Sequence, residues 1–257
     1  MLGYAPRRLR RDAERVAAMR ELAQRHPRYG YRRIWAMLQR QGVRVNHKRV
    51  YRLWRAHGMT VHVRPRRKRS GLPSARLPEA TRPHEMWAYD FVHDRCAHGE
   101  SLKCLVVVDE YSRLWLAIEV GRRIASEQVI QALMRLIQLY GVPRYIRSDN
   151  GPEFVAQAVR AWLSANGIGT MFIEPGKPWQ NGAVESFIGR FRDECLNMEW
   201  FLSRREARVI IERYRRQYNE ERPHSSLGYR TPADVEQGRG APPRRRGQHR
   251  SHPPQEA

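Results

Sequence analysis

The feature that most constrains the fold is a change of hydrophobic pattern at about residue 86. Three short apolar runs rich in aromatic and β-branched residues follow that point, separated by turn-like segments: MWAYDFV, LKCLVVVDE and RLWLAIEV. Helical and strand patterns then alternate, with helices over 126–141, about 152–165 and about 182–197, and strands over 143–148 and 169–173. Three strands in succession followed by this alternation predict an α/β fold in which helices cover a mixed sheet.

The residues before that point predict a small all-α module with helices over 7–25, 31–41 and 47–58. Gly42 is well placed to end the second helix, and Asn46 can cap the third.

The third predicted helix has a basic face. Burial of its apolar residues Val50, Leu53 and Trp54 leaves four cationic side chains toward solvent: Lys48, Arg49, Arg52 and Arg55. Two short helices around a tight turn, the second lined with arginines, are typical of a helix-turn-helix that places a helix in the DNA major groove. An ordinary helical hairpin with a solvated basic face is the alternative.

The charge is distributed unevenly along the chain. The formal net charge is +22, of which residues 1–82 carry +19, residues 83–200 carry −3 and residues 201–257 carry +6. So lopsided a charge favours a polyanionic partner, because the basic segment would otherwise repel itself. A highly charged surface without a partner is the less favoured interpretation.

Three carboxylates stand out because of where the predicted elements place them. Asp90 lies inside an apolar strand, where an unpaired charge is costly, so a divalent cation or an arginine is expected beside it. Asp149 directly follows a predicted strand, where α/β proteins collect their chemistry, although the sequence DNG is also ordinary turn chemistry. Glu185 lies near the start of a predicted helix, and a solvent-facing glutamate is the alternative there.

The spacing of these acids and the segments around them carry a resemblance. Asp90 and Asp149 are separated by 58 residues, and Asp149 and Glu185 by 35. Six segments occur in order: HPRYGYRRIWAMLQRQG, YDFVHD, VVVDEYSRLWLAIEV, SDNGPEF, PWQNGAVESFIGRFRDECLN and YNEERPHSSLGYRTPADV. Through them the chain resembles, over roughly residues 20–235, the DDE recombinases with a ribonuclease-H-like fold that include retroviral integrases. It looks most like the orfB product of the two-frame insertion-sequence transposases.

The resemblance implies a DNA transposase that cleaves the 3′ ends of an insertion element and joins them to target DNA. It implies that Asp90, Asp149 and Glu185 are catalytic ligands of Mg²⁺, with two ions at the site and Mn²⁺ able to substitute. The basic residue that follows the glutamate in this family corresponds to Arg192, two helical turns after Glu185 and able to point at DNA phosphate.

The resemblance also implies partners. These are double-stranded DNA, a second copy of the chain because two DNA ends must be joined, and a region encoded by an upstream, orfA-type frame. In the loop over 174–181, Lys177 and Gln180 are candidate DNA contacts, whereas Trp179 is either a contact or a packing residue.

Together these interpretations divide the chain into five segments. They are a helix-turn-helix-like module (1–62), a basic linker (63–83), a ribonuclease-H-like catalytic core (84–200), a C-terminal helical extension with a helix over 204–220 (201–236), and a disordered basic tail (237–257). The RPRRKR run in the linker either follows the DNA backbone or stays solvated.

The cysteine pattern and the hydropathy bear on location. Cys96, Cys104 and Cys195 are odd in number and form no CxxC pair, which favours a reducing compartment over a disulfide scaffold. No run approaches the ~20 apolar residues of a membrane span. We therefore expect a cytoplasmic, nucleoid-associated protein with no membrane contact.

Alternatives remain at the level of residues and of function. Asp109 could replace Asp90 as a ligand, and Glu153 could touch metal, although a strand-end turn and a helix-dipole role suit them better. A zinc site would draw on His93, Cys96, His98 and Cys104, which lack a clean paired motif. A DNA-binding regulator without catalysis and a nuclease for RNA–DNA hybrids are the rival functions.

Overall fold

The structure is a computed structural model that describes residues 7–61, 79–148, 153–172 and 182–239. The helices and strands are, in chain order, α1 (Arg7–Arg25), α2 (Tyr31–Arg40), α3 (His47–Ala56), β1 (Met86–Arg95), β2 (Ser101–Asp109), β3 (Trp115–Gly121), α4 (Ser126–Tyr140), β4 (Tyr145–Ser148), α5 (Glu153–Ala165), β5 (Gly169–Phe172), α6 (Gly182–Glu194), α7 (Arg204–Glu220) and α8 (Pro232–Glu236). Short 3-10 turns cover Leu196–Met198 and Ser225–Leu227.

The five strands form one mixed sheet in the order β3-β2-β1-β4-β5. The pairs β1–β2 and β2–β3 are antiparallel, whereas β4 lies parallel to both β1 and β5. Parallel neighbours need a crossover connection, which α4 and α5 provide before β4 and β5. The predicted mixed sheet with flanking helices, preceded by an all-α module, is confirmed.

Each face of the sheet is covered by its own pair of helices. Val92 and Val106 pack with α6 and α7, whereas Trp87 and Leu105 face the other side, where α4 and α5 lie. Successive side chains of a strand point to opposite faces. The even-numbered residues of β1, including Asp90, therefore lie on the α6–α7 face.

Trp115 lies at the centre of the α6–α7 layer and is fully buried. Its ring centroid is 4.7 Å from that of Phe187 and 5.0 Å from that of Phe191, both on α6. From α7, the Tyr218 ring approaches to 6.0 Å, and Asn219 Oδ1 accepts from the Trp115 backbone N–H at 2.8 Å. Aromatic packing of this kind fixes α6 against the sheet.

The N-terminal module has a small core of its own, to which α1, α2 and α3 all contribute. Its most buried members are Met19, Leu22, Ile34, Leu38 and Val50. Two of the predicted end signals of its helices are confirmed. Gly42 follows α2 with φ +81°, a conformation that glycine adopts without steric cost, and Asn46 Oδ1 accepts from the Lys48 N–H at 2.8 Å.

Two features of the C-terminal part were not predicted from the sequence. Helix α6 ends at Glu194 and is followed by a 3-10 turn, whereas the pattern predicted one helix to about 197. Helix α8 was not predicted at all. Thr231 Oγ1 accepts from the Asp234 N–H at 3.2 Å, and Pro232 occupies the first turn. The segment TPAD carries both of these start signals.

Candidate active site and nucleic-acid interface

Asp90 lies in the middle of β1, opposite Val106 of β2. Its carboxylate is partly buried, and its Oδ1 accepts from the Phe91 N–H at 2.7 Å. Because Asp90 shares a face with Val92, its side chain belongs to the layer that also contains α6. The prediction that Asp90 lies within a strand is confirmed.

The end of β4 comes close to Asp90. The parallel register pairs Ala88 with Arg147, and the described part of this strand ends at Ser148. Ala88 is two residues before Asp90 on the same face of β1, and Arg147 stands in register with it. Asp149 itself lies outside the described residues.

Glu185 lies in the first turn of α6 and is partly buried. Val184, Phe187 and Phe191 are buried at helical spacing, so they define the face of α6 that packs on the sheet. Glu185 lies about 100° around the helix from Val184, on the flank of this buried face.

The direction of α6 sets which part of β1 lies nearest to Glu185. Near its start, Phe187 packs on Trp115, which pairs with Val108 and through it stands level with Ala88. Near its end, Arg192 Nη2 donates to the His93 carbonyl at 3.2 Å. Helix α6 therefore runs in the same direction as β1, and its first turn, which carries Glu185, lies near the level of Ala88, two residues before Asp90.

Arg192 shares the flank of α6 that carries Glu185, because seven residues make two helical turns. Its side chain is exposed at the surface beside β1. A guanidinium beside a carboxylate site can bind a phosphate that approaches the acids. The loop candidates Lys177, Trp179 and Gln180 lie outside the described residues.

Asp109, the alternative ligand, has a different task. It is fully buried, and its carboxylate accepts from the His84 N–H at 2.9 Å, the Ser112 N–H at 2.8 Å and the Ser112 hydroxyl at 2.6 Å. It therefore organises the turn after β2. Its neighbour Glu110 forms a buried ion pair with Arg147 at 2.8 Å, a contact that no local pattern indicated.

The cysteines of the proposed zinc alternative are core residues. Cys96 and Cys104 are buried, and burial raises the pKa of Cys104 to about 12, so its thiol is protonated at neutral pH. Metal ligation requires a thiolate. Across the described residues, no three His, Cys, Asp or Glu side chains are grouped as a metal site. Asp149 does not belong to this part of the chain.

The basic face of α3 is largely as predicted. Lys48, Arg52 and Arg55 are exposed. Arg49 differs: it is half-buried, and its guanidinium donates to both carboxylate oxygens of Asp12 on α1, at 2.9 and 2.8 Å. The helical pattern of α3 placed Arg49 toward solvent because it contains no information about where α1 packs.

A buried charge network centred on Glu194, at the end of α6, was not predicted. Its carboxylate accepts from Arg222 at 2.5 and 2.6 Å, from Arg33 at 2.9 Å and from the Tyr214 hydroxyl at 3.2 Å. Burial alone would raise the pKa of Glu194, but the hydrogen bonds and charges of Arg222 and Arg33 outweigh it and lower that pKa. Arg33 belongs to α2, so the network joins the N-terminal module to α6.

His224 makes the network sensitive to acid. Burial and the charge of Arg222, with those of Arg190 and Arg33, lower the pKa of His224 well below 6.5. The unfolded chain therefore takes up a proton at higher pH than the folded one does. This contribution to stability is complete above about pH 6.5 and is lost as the pH falls below it.

We expect acidification to pH 5.5 to cost wild type about 1.4 kcal/mol through His224, measured as free energy of unfolding in denaturant. His224→Gln has no imidazole to protonate, so its free energy of unfolding should fall by less when the pH is lowered to 5.5. His98→Gln, which changes an exposed histidine, is the control and should follow wild type. Equal losses in wild type and His224→Gln would contradict the prediction.

Known protein families match most of the chain. Two family descriptions, both named integrase core domain, match residues 80–178 and 166–232, and an HTH-like domain matches residues 10–69. Among the helices described, none combines the length and apolar character needed to span a bilayer.

Two curated relatives are bacterial insertion-element proteins. The insertion element IS407 uncharacterized 31.7 kDa protein of Burkholderia multivorans is 45% identical over 85% of this chain and 79% of its own length. The insertion element IS476 uncharacterized 39.2 kDa protein of Xanthomonas euvesicatoria is 43% identical over 84% of this chain and 63% of its own length.

One solved structure supports the fold. It is the simian T-cell lymphotropic virus intasome in complex with PP2A regulatory subunit B56 gamma. One of its chains aligns with a TM-score of 0.51 at 18% identity, covering 83% of this chain and 71% of that one. This similarity concerns the fold alone.

Proposed function

Because the chain belongs to the integrase-core family of insertion-element transposases, we propose that Asp90, Asp149 and Glu185 together form its catalytic site. In this proposal they hold Mg²⁺, with Mn²⁺ able to substitute, for cleavage of 3′ ends and strand transfer. The observation that carries it is that Asp90 lies on the face of β1 that α6 covers, and that Glu185 lies in the first turn of α6, near the level of Ala88. The end of β4, just before Asp149, runs parallel beside β1 there.

The donor set fits a hard divalent cation. Carboxylate oxygens are the ligands that Mg²⁺ prefers, and it keeps several waters, so few protein ligands are needed. Asp90 and Glu185 are only partly buried, so water and a DNA phosphate can share the site with them. When bound, such a cation pair activates an oxygen nucleophile and neutralises charge on the phosphate.

The side chains of the protein contribute positioning and charge. Packing of Phe187 and Phe191 on Trp115 fixes α6, so Glu185 stays at one height above the sheet. Arg192 is held by the His93 carbonyl beside this flank, where it can bind a non-reacting phosphate oxygen. No side chain needs to act as nucleophile, since water and then the freed 3′-hydroxyl attack.

The exposed cations of α3 are proposed to bind duplex DNA at the element end. Residues 44–78 contain 11 Lys and Arg and no Asp or Glu, which suits a phosphate-binding segment. A second copy of the chain, to hold the second end, and an upstream-frame region are further proposed partners. Lys177 and Gln180 remain proposed DNA contacts.

The α3 proposal predicts a change in salt dependence. Replacing Lys48 and Arg52 by alanine removes two phosphate contacts and should lower the slope of log K against log salt by about 1.8. Titration of a labelled duplex at several salt concentrations measures this slope. Arg25→Ala is the matched control, because Arg25 is an exposed arginine that pairs with Glu21 on α1. An unchanged slope in the double variant would exclude these contacts.

The proposed activity is tested by incubating the protein with candidate element ends, target plasmid and Mg²⁺. We expect 3′-end cleavage and joined products with wild type, and neither with Glu185→Gln or when EDTA replaces Mg²⁺. Glu199→Gln, at an exposed glutamate in the turn after α6, should retain both. Binding without any cleavage would favour a DNA-binding regulator, and cleavage of an RNA–DNA hybrid without strand transfer would favour a nuclease.

A further inference from the structure

We propose that the Glu194 network acts as a ruler, in which Arg33 of α2 fixes how far from its recognition sequence the protein cuts DNA. This inference rests on the proposed function and adds positioning residues to it. The network would set the distance and angle between the DNA-binding face of α3 and the carboxylates near the start of α6.

The contact between the module and the rest of the protein is made by specific polar pairs. Besides the Arg33–Glu194 ion pair, Arg28 lies 3.8 Å from Asp193 of α6. The Gln217 side-chain amide of α7 lies 2.9 Å from His26 Nδ1. The Arg33–Glu194 and Gln217–His26 pairs are within hydrogen-bonding distance, so they restrict orientation as well as separation.

Further contacts extend the interface toward α8. Arg40 of α2 forms an ion pair with Asp234 of α8. The Trp35 ring meets the Tyr229 ring edge-on, with centroids 5.7 Å apart. The module is thus held at both ends of α2, which opposes rotation about any single contact.

The centre of the interface is buried and charged. Glu194 and Arg222 side chains are 5% and 1% exposed, and Tyr29 of the module is buried with the Arg33 and Arg222 guanidinium carbons 5.1 and 5.8 Å from its ring centroid. Charged hydrogen bonds shielded from water are stronger than exposed ones. Separating the module would remove Arg33 from Glu194 and break this shielded ion pair. The docked geometry is therefore favoured.

Rigid elements connect this interface to both functional faces. Glu194 and Glu185 lie nine residues apart on α6, about 14 Å along one continuous helix. On the other side, the α2 residue Leu38 shares the module core with Val50 of α3. Packed elements and the ion-paired interface therefore connect the proposed DNA-binding helix α3 to Glu185.

Arg33→Ala is a suitable test because Glu194 retains its bonds to Arg222 and Tyr214, so no carboxylate is left buried without a cation. We expect wild type to cut an element-end duplex mainly at one phosphate. In Arg33→Ala, the ratio of cuts at that phosphate to cuts at its neighbours should fall about tenfold, the value of one charged hydrogen bond. Sequencing gels of end-labelled products measure this ratio, and duplex affinity should change little.

Arg33→Lys keeps the charge and should recover part of the ratio, while Arg25→Ala should leave it unchanged. The same cut distribution in Arg33→Ala as in wild type would overturn the ruler, even though the protein is an active transposase. Absence of cutting by wild type would instead count against the proposed function, so the two failures are distinguishable.

Discussion

Asp149→Ala should lose at least about 1000-fold in both 3′-end cleavage and strand transfer, which corresponds to about 4 kcal/mol of transition-state stabilisation. Its duplex affinity at a given salt concentration should stay within a few-fold of wild type, because DNA binding is assigned to cationic side chains elsewhere. The physical reason is that removing one carboxylate leaves too few hard oxygen ligands for the cation pair. Single-turnover assays with element-end DNA measure the loss.

The conservative change Asp149→Asn is the sharper form of this experiment. It keeps the size and hydrogen-bonding capacity of the side chain but removes the charge, so a structural turn role would survive it. We expect it to be nearly as inactive as Asp149→Ala. Wild-type rates in Asp149→Asn would show that this residue only shapes a turn and that the site assignment is wrong.

Arg222→Met should destabilise the protein by about 3–5 kcal/mol, because it removes the bidentate partner of a buried carboxylate. Glu194 would keep only Arg33 and the Tyr214 hydroxyl, at a site where 5% of its side chain is exposed. For a chain of this size such a loss lowers the melting temperature by about 10 °C. Thermal or denaturant unfolding followed by circular dichroism measures it.

The matched control for this change is Arg216, which lies on α7 shortly before Arg222. Arg216 pairs with Glu212 at 3.2 Å but is 69% exposed, so Arg216→Met should cost no more than about 1 kcal/mol. If Arg222→Met is as mild as Arg216→Met, the Glu194 network is not a stabilising centre. The ruler would then lose its physical basis as well.

Local patterns in the sequence were sufficient for most of the architecture. The strands were predicted because apolar, β-branched runs such as LKCLVVVD are buried on both faces. The end of α2 and the start of α3 were predicted because Gly42 and Asn46 act within a few residues of where they lie. The mixed character of the sheet, though not the order of its strands, was predicted from the succession of elements along the chain.

Long-range pairing was not accessible in the same way. Arg33 and Glu194 are 161 residues apart, and nothing near either residue marks it as a partner of the other. Arg49 was assigned to solvent because its own helix cannot reveal Asp12, 37 residues earlier. The proposed proximity of Asp90 and Glu185 is likewise a tertiary property, and the sequence indicated it only through resemblance to a family.

The most direct test of the account is crystallographic. Crystals of the protein with element-end DNA and Mn²⁺ would be measured at a wavelength where manganese scatters anomalously. We expect an anomalous peak with carboxylate oxygens of Asp90, Asp149 and Glu185 around it and a DNA phosphate adjacent. Manganese bound elsewhere, with these three side chains in separate regions of the molecule, would contradict it.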